Sequence, residues 1–300
     1  MAIGKVAAEQ TRKSKTSLKD DLRKEMFESN EKKLSAQYYK KVLLSGENGA
    51  GKTSLAMYLL LHNIQDDEMI FYINVDGSGP EIADNFYKSY YDSRQLRIID
   101  ASVFEENEKG VEIKNEEQTV NRVITAAALI REGLEEGYKI KGVIVDGLSF
   151  MLSYAEAKMR LDRNLEVDEG AQFTIWKLRN KFFRDFSSAY MNLHVPVIFV
   201  SHSDFIPELT KKDERFSDVK KTFIDECSIR MTVEKRNGEV PEIKEYVAIA
   251  QKDRSNANVV DKEVTFMTTN NKTDSVDASH FIDVYNLIFP QNKKTGNSKW

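Results

Sequence analysis

The nine residues "GENGAGKTS" at 46–54 restrict the possible folds more than anything else in the chain. They fit G-x-x-x-x-G-K-[ST] through Gly46, Gly51, Lys52 and Thr53. The apolar run "KVLLSG" (41–46) precedes them, and "KTSLAMYLLLHNI", with helical spacing, follows. That context, strand then loop then helix, is what this pattern needs in order to cradle phosphate. Glycines let successive backbone N–H groups turn inward, and the helix N-terminus adds positive potential. Gly46, Glu47, Asn48, Gly49, Ala50, Gly51, Lys52, Thr53 and Ser54 are therefore the candidate phosphate-binding residues. Lys52 is expected to reach the outer phosphates, and the Thr53 hydroxyl to ligate Mg²⁺.

A second strand signal lies at "KGVIVDGLSF" (141–150), where Val143 to Asp146 end in a carboxylate. Asp146 is the natural partner of Thr53 at the same metal. Gly147 follows, where many nucleotide hydrolases carry a water-orienting glutamate, so that acid must come from another strand end. "FYINVDGSG" supplies Asp76 immediately before a glycine, one strand after the phosphate loop. A strand at 69–75 beside or between those carrying Ser45 and Asp146 would let Asp76 act as general base on a water.

Composition narrows the partners. The 300 residues carry a net charge of −4, so any nucleic-acid contact must use a local patch. A single cysteine, Cys227, excludes an internal disulfide and suits a reducing compartment. No apolar run reaches the roughly 18 residues of a membrane helix, and "MAIGKVAAEQTRKSK" has no apolar signal core. The expectation is a soluble, cytoplasmic protein. No His/Cys/Asp/Glu cluster has zinc spacing, and His62 and His194 read as helix-end residues.

Along the chain, residues 1–38 read as a charged arm, 39–290 as one α/β domain and 291–300 as a polar tail. Strand-like runs at 69–76, 96–100, 143–146 and 195–203 alternate with helical ones. One helix is expected across "EEQTVNRVITAAALIREGLEEG", with Val120, Val123, Ile124, Ala127 and Ile130 on one face. Another is expected in "AQFTIWKLRNKFFRDFSSAYMNL", with Ile175, Leu178, Phe182, Phe186 and Ala189 inward. After residue 222, "CSIRMTVEKR", "KEYVAIAQK" and "KEVTFM" read as successive strands, and "ASHFIDVYNLIF" as a last helix. The fold class is α/β, a mostly parallel sheet flanked by helices with an antiparallel C-terminal extension.

In this order the pieces resemble the RecA-like P-loop ATPase core over about residues 40–270, and among its members the Sak-type recombination ATPases of phages. "YINVDGSGPEIADNFY" is similar to the strand whose final acid is the family's catalytic carboxylate, with Asp76 here in place of glutamate. "VIVDGLSFML" is similar to its metal strand. "VIFVSHSDF" is similar to the strand that senses the γ-phosphate, which implies a sensor role for Ser201 and His202; a polar strand end facing solvent would look the same. "VAIAQKDRSN" is similar to the late strand that reaches a neighbouring subunit's nucleotide, which implicates Lys252 and Arg254; "KDR" also suits a charged hairpin rim. The resemblance implies ATP and Mg²⁺ as cofactors, head-to-tail homo-oligomers and single-stranded DNA as a partner.

Two loops, 151–170 and 203–222, are candidates to face nucleic acid, and an ordinary surface loop fits the second as well. The second interleaves Lys211, Lys212, Arg215, Lys220 and Lys221 with Phe205 and Phe216, but Asp204, Glu208, Asp213, Glu214 and Asp218 balance its charge. Two rival readings use the same phosphate loop: a small-molecule or nucleotide kinase, and an assembly protein that binds ATP with little hydrolysis.

Overall fold

The computed structural model describes residues 39–77, 79–106, 110–165, 173–202, 222–254 and 257–289, with only the backbone at 152 and 173–176. The arm at 1–38, most of the 203–222 loop, and the tail lie outside the described residues.

The elements run β1 (Lys41–Gly46), α1 (Lys52–Leu61), β2 (Met69–Asn74), α2 (Gly79–Phe86), α3 (Lys88–Asp92), β3 (Leu96–Asp100), β4 (Phe104–Glu106) and β5 (Glu112–Lys114). They continue as α4 (Glu116–Glu135), β6 (Ile140–Asp146), α5 (Leu148–Asp162), α6 (Phe173–Met191), β7 (Val197–His202) and β8 (Ile229–Asn237). β9 (Ile243–Asp253), β10 (Glu263–Asn270), β11 (Ser275–Asp277) and α7 (Phe281–Ile288) complete the chain. The main sheet has the order β11-β10-β9-β8-β1-β7-β6-β2-β3. Every pairing from β8 to β3 is parallel, and β9, β10 and β11 are added antiparallel. The fold class expected from the sequence is the one observed.

The central parallel strands β1, β6 and β7 are buried on both faces, as such strands must be when helices cover each side. On one face Leu44, Tyr72, Ile144 and Val200 pack against Leu55, Leu59 and Phe281 of α1 and α7. On the other, Leu43, Val145 and Phe199 pack against Val123, Met151 and Phe186 of α4, α5 and α6. α4 begins as its sequence indicates. Asn115 accepts a hydrogen bond from the Gln118 N–H, and Glu116 and Glu117 follow in the positive first turn. Four of the five residues expected on its inner face are buried, and Ile124 packs partly buried against them. Among the described residues no helix is long and apolar enough to cross a membrane.

Four expectations need correction. The helix expected across "GPEIADNFYKSYY" is two, α2 and α3, broken at Tyr87, whose φ of −130° leaves the helical region. β6 starts at Ile140, before the expected 143. The segment expected as a loop from 151 is helix α5 as far as Asp162. Met151, Tyr154, Ala155 and Met159 are all buried, which is the spacing that holds a helix against a sheet.

The inner face of α6 is turned by one residue. Phe186 is buried as expected and the Ile175 side chain lies outside the described residues, but Leu178, Phe182 and Ala189 are only partly buried while Arg179, Phe183 and Tyr190 are fully so. Arg179 reaches toward Glu156 of α5 (Nη1–Oε2 3.8 Å), and Phe182 lies under the Lys158 ammonium, 5.1 Å from its ring centre. A buried arginine hides the true face from an apolar-spacing argument. Phe183→Ala is therefore expected to cost about 3–5 kcal/mol in chemical denaturation, and Phe182→Ala roughly 1 kcal/mol or less.

Candidate functional site

β1, β7, β6 and β2 all end at the same edge of the sheet, and a cleft of about 650 Å³ opens there. Its floor is the loop after β1. Gly49 and Gly51 take φ values of +72° and +83°, and α1 starts at Gly51 with no side chain capping its first turn. The N–H groups of that turn are left to a ligand. Asn48, Gly49, Gly51, Lys52, Thr53 and Ser54 line the cleft. Of the remaining loop residues, Ala50 is fully buried in the core and anchors the turn. Gly46 and Glu47 contribute carbonyls: the Lys52 ammonium donates to both, at 3.0 and 2.7 Å. Burial holds the Lys52 pKa below its usual value, against the opposing pull of Asp146, Asp76 and Glu47.

β6 brings Asp146 to the same place. The Thr53 hydroxyl donates to Asp146 Oδ2 at 2.6 Å, and the Tyr72 hydroxyl donates to the same oxygen at 2.8 Å. Loss of solvent raises the Asp146 pKa to about 6, with Asp76 adding to the rise; Thr53, Tyr72 and Lys52 oppose it. A carboxyl whose folded pKa lies above its unfolded one destabilises the fold as it ionises. The penalty is absent below about pH 4, grows between pH 4 and 6, and is complete above pH 6. Asp146→Asn keeps an acceptor for both hydroxyls and removes the charge. It is expected to stabilise the ligand-free protein at pH 7.5 by up to about 3 kcal/mol and to leave it unchanged near pH 4, measured by thermal denaturation at the two pH values.

Asp76 lines the cleft from the end of β2 and is exposed. Its turn is tied on several sides. The Asn74 side chain accepts the Gly77 N–H at 3.0 Å and donates to Asp100. Ser102 and Lys114 both donate to the Val75 carbonyl, at 3.0 and 3.1 Å. Lys114 comes from the β4–β5 hairpin, an element that carries no strong strand pattern and was missed in the sequence. β2 pairs with β6, register Asn74 to Asp146, while β7 separates β6 from β1. Asp76 is thus beside the strand of Asp146 and two further strands from that of Ser45.

The same turn accounts for Gly147. This residue has φ +104°, and a Cβ on it would lie 2.9 Å from Val75 Cβ and 3.1 Å from the Asp76 N. A glutamate cannot occupy that position without displacing the segment that presents Asp76.

β7 supplies Ser201 and His202 to the far wall. The His202 N–H donates to Ser149 Oγ at 2.7 Å, and its ring stands edge-on to Phe150 at 5.7 Å. Ser201 is buried, and its hydroxyl has no hydrogen-bond partner among the described residues. A buried hydroxyl left unpaired is costly, so a group entering the cleft is its natural partner. The remaining wall is apolar: Tyr246, Met267 and Val276 come from the antiparallel extension, and Ile82, Phe86 and Tyr87 from the α2 side.

Lys252 and Arg254 are not in this cleft. β8 is parallel to β1, with Val42 opposite Ile229 and Gly46 opposite Val233, and Arg230 faces Lys252 on β9. Both residues therefore lie at the amino-terminal edge of the parallel strands, opposite the phosphate loop. The Lys252 ammonium donates to the Ile224 and Asp225 carbonyls at 3.1 and 2.9 Å.

No protein-family model and no curated protein matches the sequence. Among solved structures, the chain is similar to a KaiC-like protein from the hyperthermophilic archaeon Pyrococcus horikoshii. The TM-score is 0.45 at 12% identity, covering 75% of this chain and 83% of that one.

The residues present suit a magnesium-bound nucleoside triphosphate. The uncapped amides and Lys52 suit phosphate oxygens. The Thr53–Asp146 pair offers only oxygen donors, the ligands that Mg²⁺ prefers, and the cleft has the volume of a small-molecule site.

Proposed function

We propose that this chain is a Mg²⁺-dependent ATP hydrolase of the RecA-like class, working as a head-to-tail homo-oligomer on single-stranded DNA. One observation carries the hydrolase reading: Lys52, the Thr53–Asp146 pair and Asp76 arrive from three different strand ends in a single cleft. In this reading the loop amides and Lys52 hold the phosphates, and Lys52 exchanges its two carbonyl contacts for phosphate oxygens. Thr53 and Asp146 hold Mg²⁺, which when bound neutralises charge developing on the phosphates. Asp76 accepts a hydrogen bond from the attacking water, takes its proton as the bond to the γ-phosphorus forms, and ADP leaves as the anhydride bond breaks. Ser201 and His202, which line the same cleft, sense the terminal phosphate in this reading.

A kinase would need a lid or acceptor site bearing arginine, and among the described residues no arginine lines the cleft. That favours water as the acceptor. In this reading Lys252 and Arg254, at the opposite sheet edge, would meet a phosphate only on another copy. A heterologous, head-to-tail contact is the arrangement that brings one edge to the other. The DNA assignment rests on the cations and phenylalanines of 203–222, which lie largely outside the described residues.

The test is phosphate release from ATP, with and without single-stranded DNA, on a sample also imaged by electron microscopy. Mg²⁺-dependent hydrolysis that rises with DNA, on rings or filaments, is the expected result. A rate indifferent to DNA, with no gel shift, removes the DNA assignment. Transfer to a nucleoside faster than to water replaces the hydrolase with a kinase.

A further inference from the structure

The hydrogen bonds around Asp146 assign a role to a residue that the phosphate-loop chemistry does not otherwise use. We infer that Tyr72 is a positioning residue for Asp146, holding the metal-side carboxylate in the orientation in which it serves Mg²⁺–nucleotide binding. The inference rests on the nucleotide reading above and adds a component to it.

Tyr72 lies inside β2, fully buried, where an apolar residue would satisfy the core. Its neighbour Phe71, on the opposite face, shows that the strand accommodates an unsubstituted ring. A buried phenol needs a hydrogen-bond partner, and its donor reaches the oxygen that Thr53 also contacts. Two donors converging on Oδ2 restrict the rotation of the carboxylate. The Thr53 oxygen keeps its lone pairs for a cation while its proton is given to Asp146.

Room for the phenol is made at another position. A Cβ on Gly79, the first residue of α2, would come within 2.0 Å of the Tyr72 ring. The chain omits a side chain there so that the ring can lie along the sheet and reach Asp146. Partners that orient a metal-site carboxylate act through the ligand rather than on the substrate, and their loss typically costs about 10- to 100-fold in metal affinity or activity.

The test compares Tyr72→Phe with the wild type in equilibrium titrations of a fluorescent ATP analogue, once with Mg²⁺ and once with EDTA. Thermal denaturation monitors the fold. The variant is expected to lose about 10- to 100-fold of affinity in Mg²⁺ and to match the wild type within about twofold in EDTA. Gly79→Ala, which retains the hydroxyl but displaces the ring, is expected to show the same Mg²⁺-selective loss. This second variant decides the matter if Tyr72→Phe does not fold. Equal affinities of both variants and wild type in Mg²⁺, or equal losses with and without it, overturn the inference. A wild type that does not bind the analogue refutes the nucleotide reading itself, and one whose affinity ignores Mg²⁺ refutes the metal role of Asp146; both are distinct from failure of Tyr72 alone.

Discussion

Lys52→Ala is expected to lower ATP hydrolysis by at least about 10²- to 10³-fold, the usual cost of removing one preorganised donor from a charged transition state, and to weaken Mg²⁺–ATP binding. The fold itself should survive. The ammonium donates to the Gly46 and Glu47 carbonyls, and the charge of buried Asp146 that it also offsets can be relieved by protonation, since burial already raises the Asp146 pKa to about 6. Lys52→Arg should fail nearly as badly. A planar guanidinium cannot take the place of a compact ammonium in a loop whose amides already close around the phosphates. Isothermal titration separates the two losses, and a variant that binds ATP as tightly as wild type would remove Lys52 from the site.

The parts of this site that were legible in the sequence are those carried by short contiguous patterns. An apolar run ending in glycine or aspartate marks a strand end, and Asp76, Asp146 and the loop that follows Gly46 do face one cleft. The order of strands was not legible. Nothing in the sequence of β7 says that it inserts between β1 and β6, because all of these strands are equally apolar and pair through their backbones. Tyr72 was likewise hidden, since alternation places an aromatic inside a strand without saying what its hydroxyl meets. The reason for Gly147 depends on the approach of Val75, 72 residues away in sequence, and is visible only in three dimensions. Helix α5 is a different case. Met151, Tyr154, Ala155 and Met159 carry its period plainly, so the helix was legible where a loop was expected. On α6, Arg179 sits in the inner face, so counting apolar residues alone selects the neighbouring stripe.

Asp76→Ala separates an enzyme from a nucleotide-gated assembly protein. If Asp76 orients the water, its loss lowers the hydrolysis rate by about 10²- to 10⁴-fold while ATP affinity changes only a few-fold, because the carboxylate acts on the nucleophile and not on the bound phosphates. Asp76→Asn should be as damaging, since an amide keeps the volume but accepts no proton. Asp76→Glu should retain activity: the exposed end of β2 has room for one more methylene, and the Asn74, Ser102 and Lys114 hydrogen bonds hold the backbone rather than the acid. Moving the acid to the neighbouring strand should not restore the reaction. In Asp76→Ala/Gly147→Glu, the new residue must adopt φ +104° and push against Val75, at a cost of about 1–3 kcal/mol, and it displaces the turn that faces the cleft. Single-turnover phosphate release on the four variants distinguishes these outcomes. Turnover in Asp76→Ala equal to a slow wild-type rate would mean that the carboxylate never served as the base, and the protein would then be a nucleotide switch. The crowding of Gly147 by Val75 makes the positions interdependent: with the strand ends this close, only the β2 side has space for the acid.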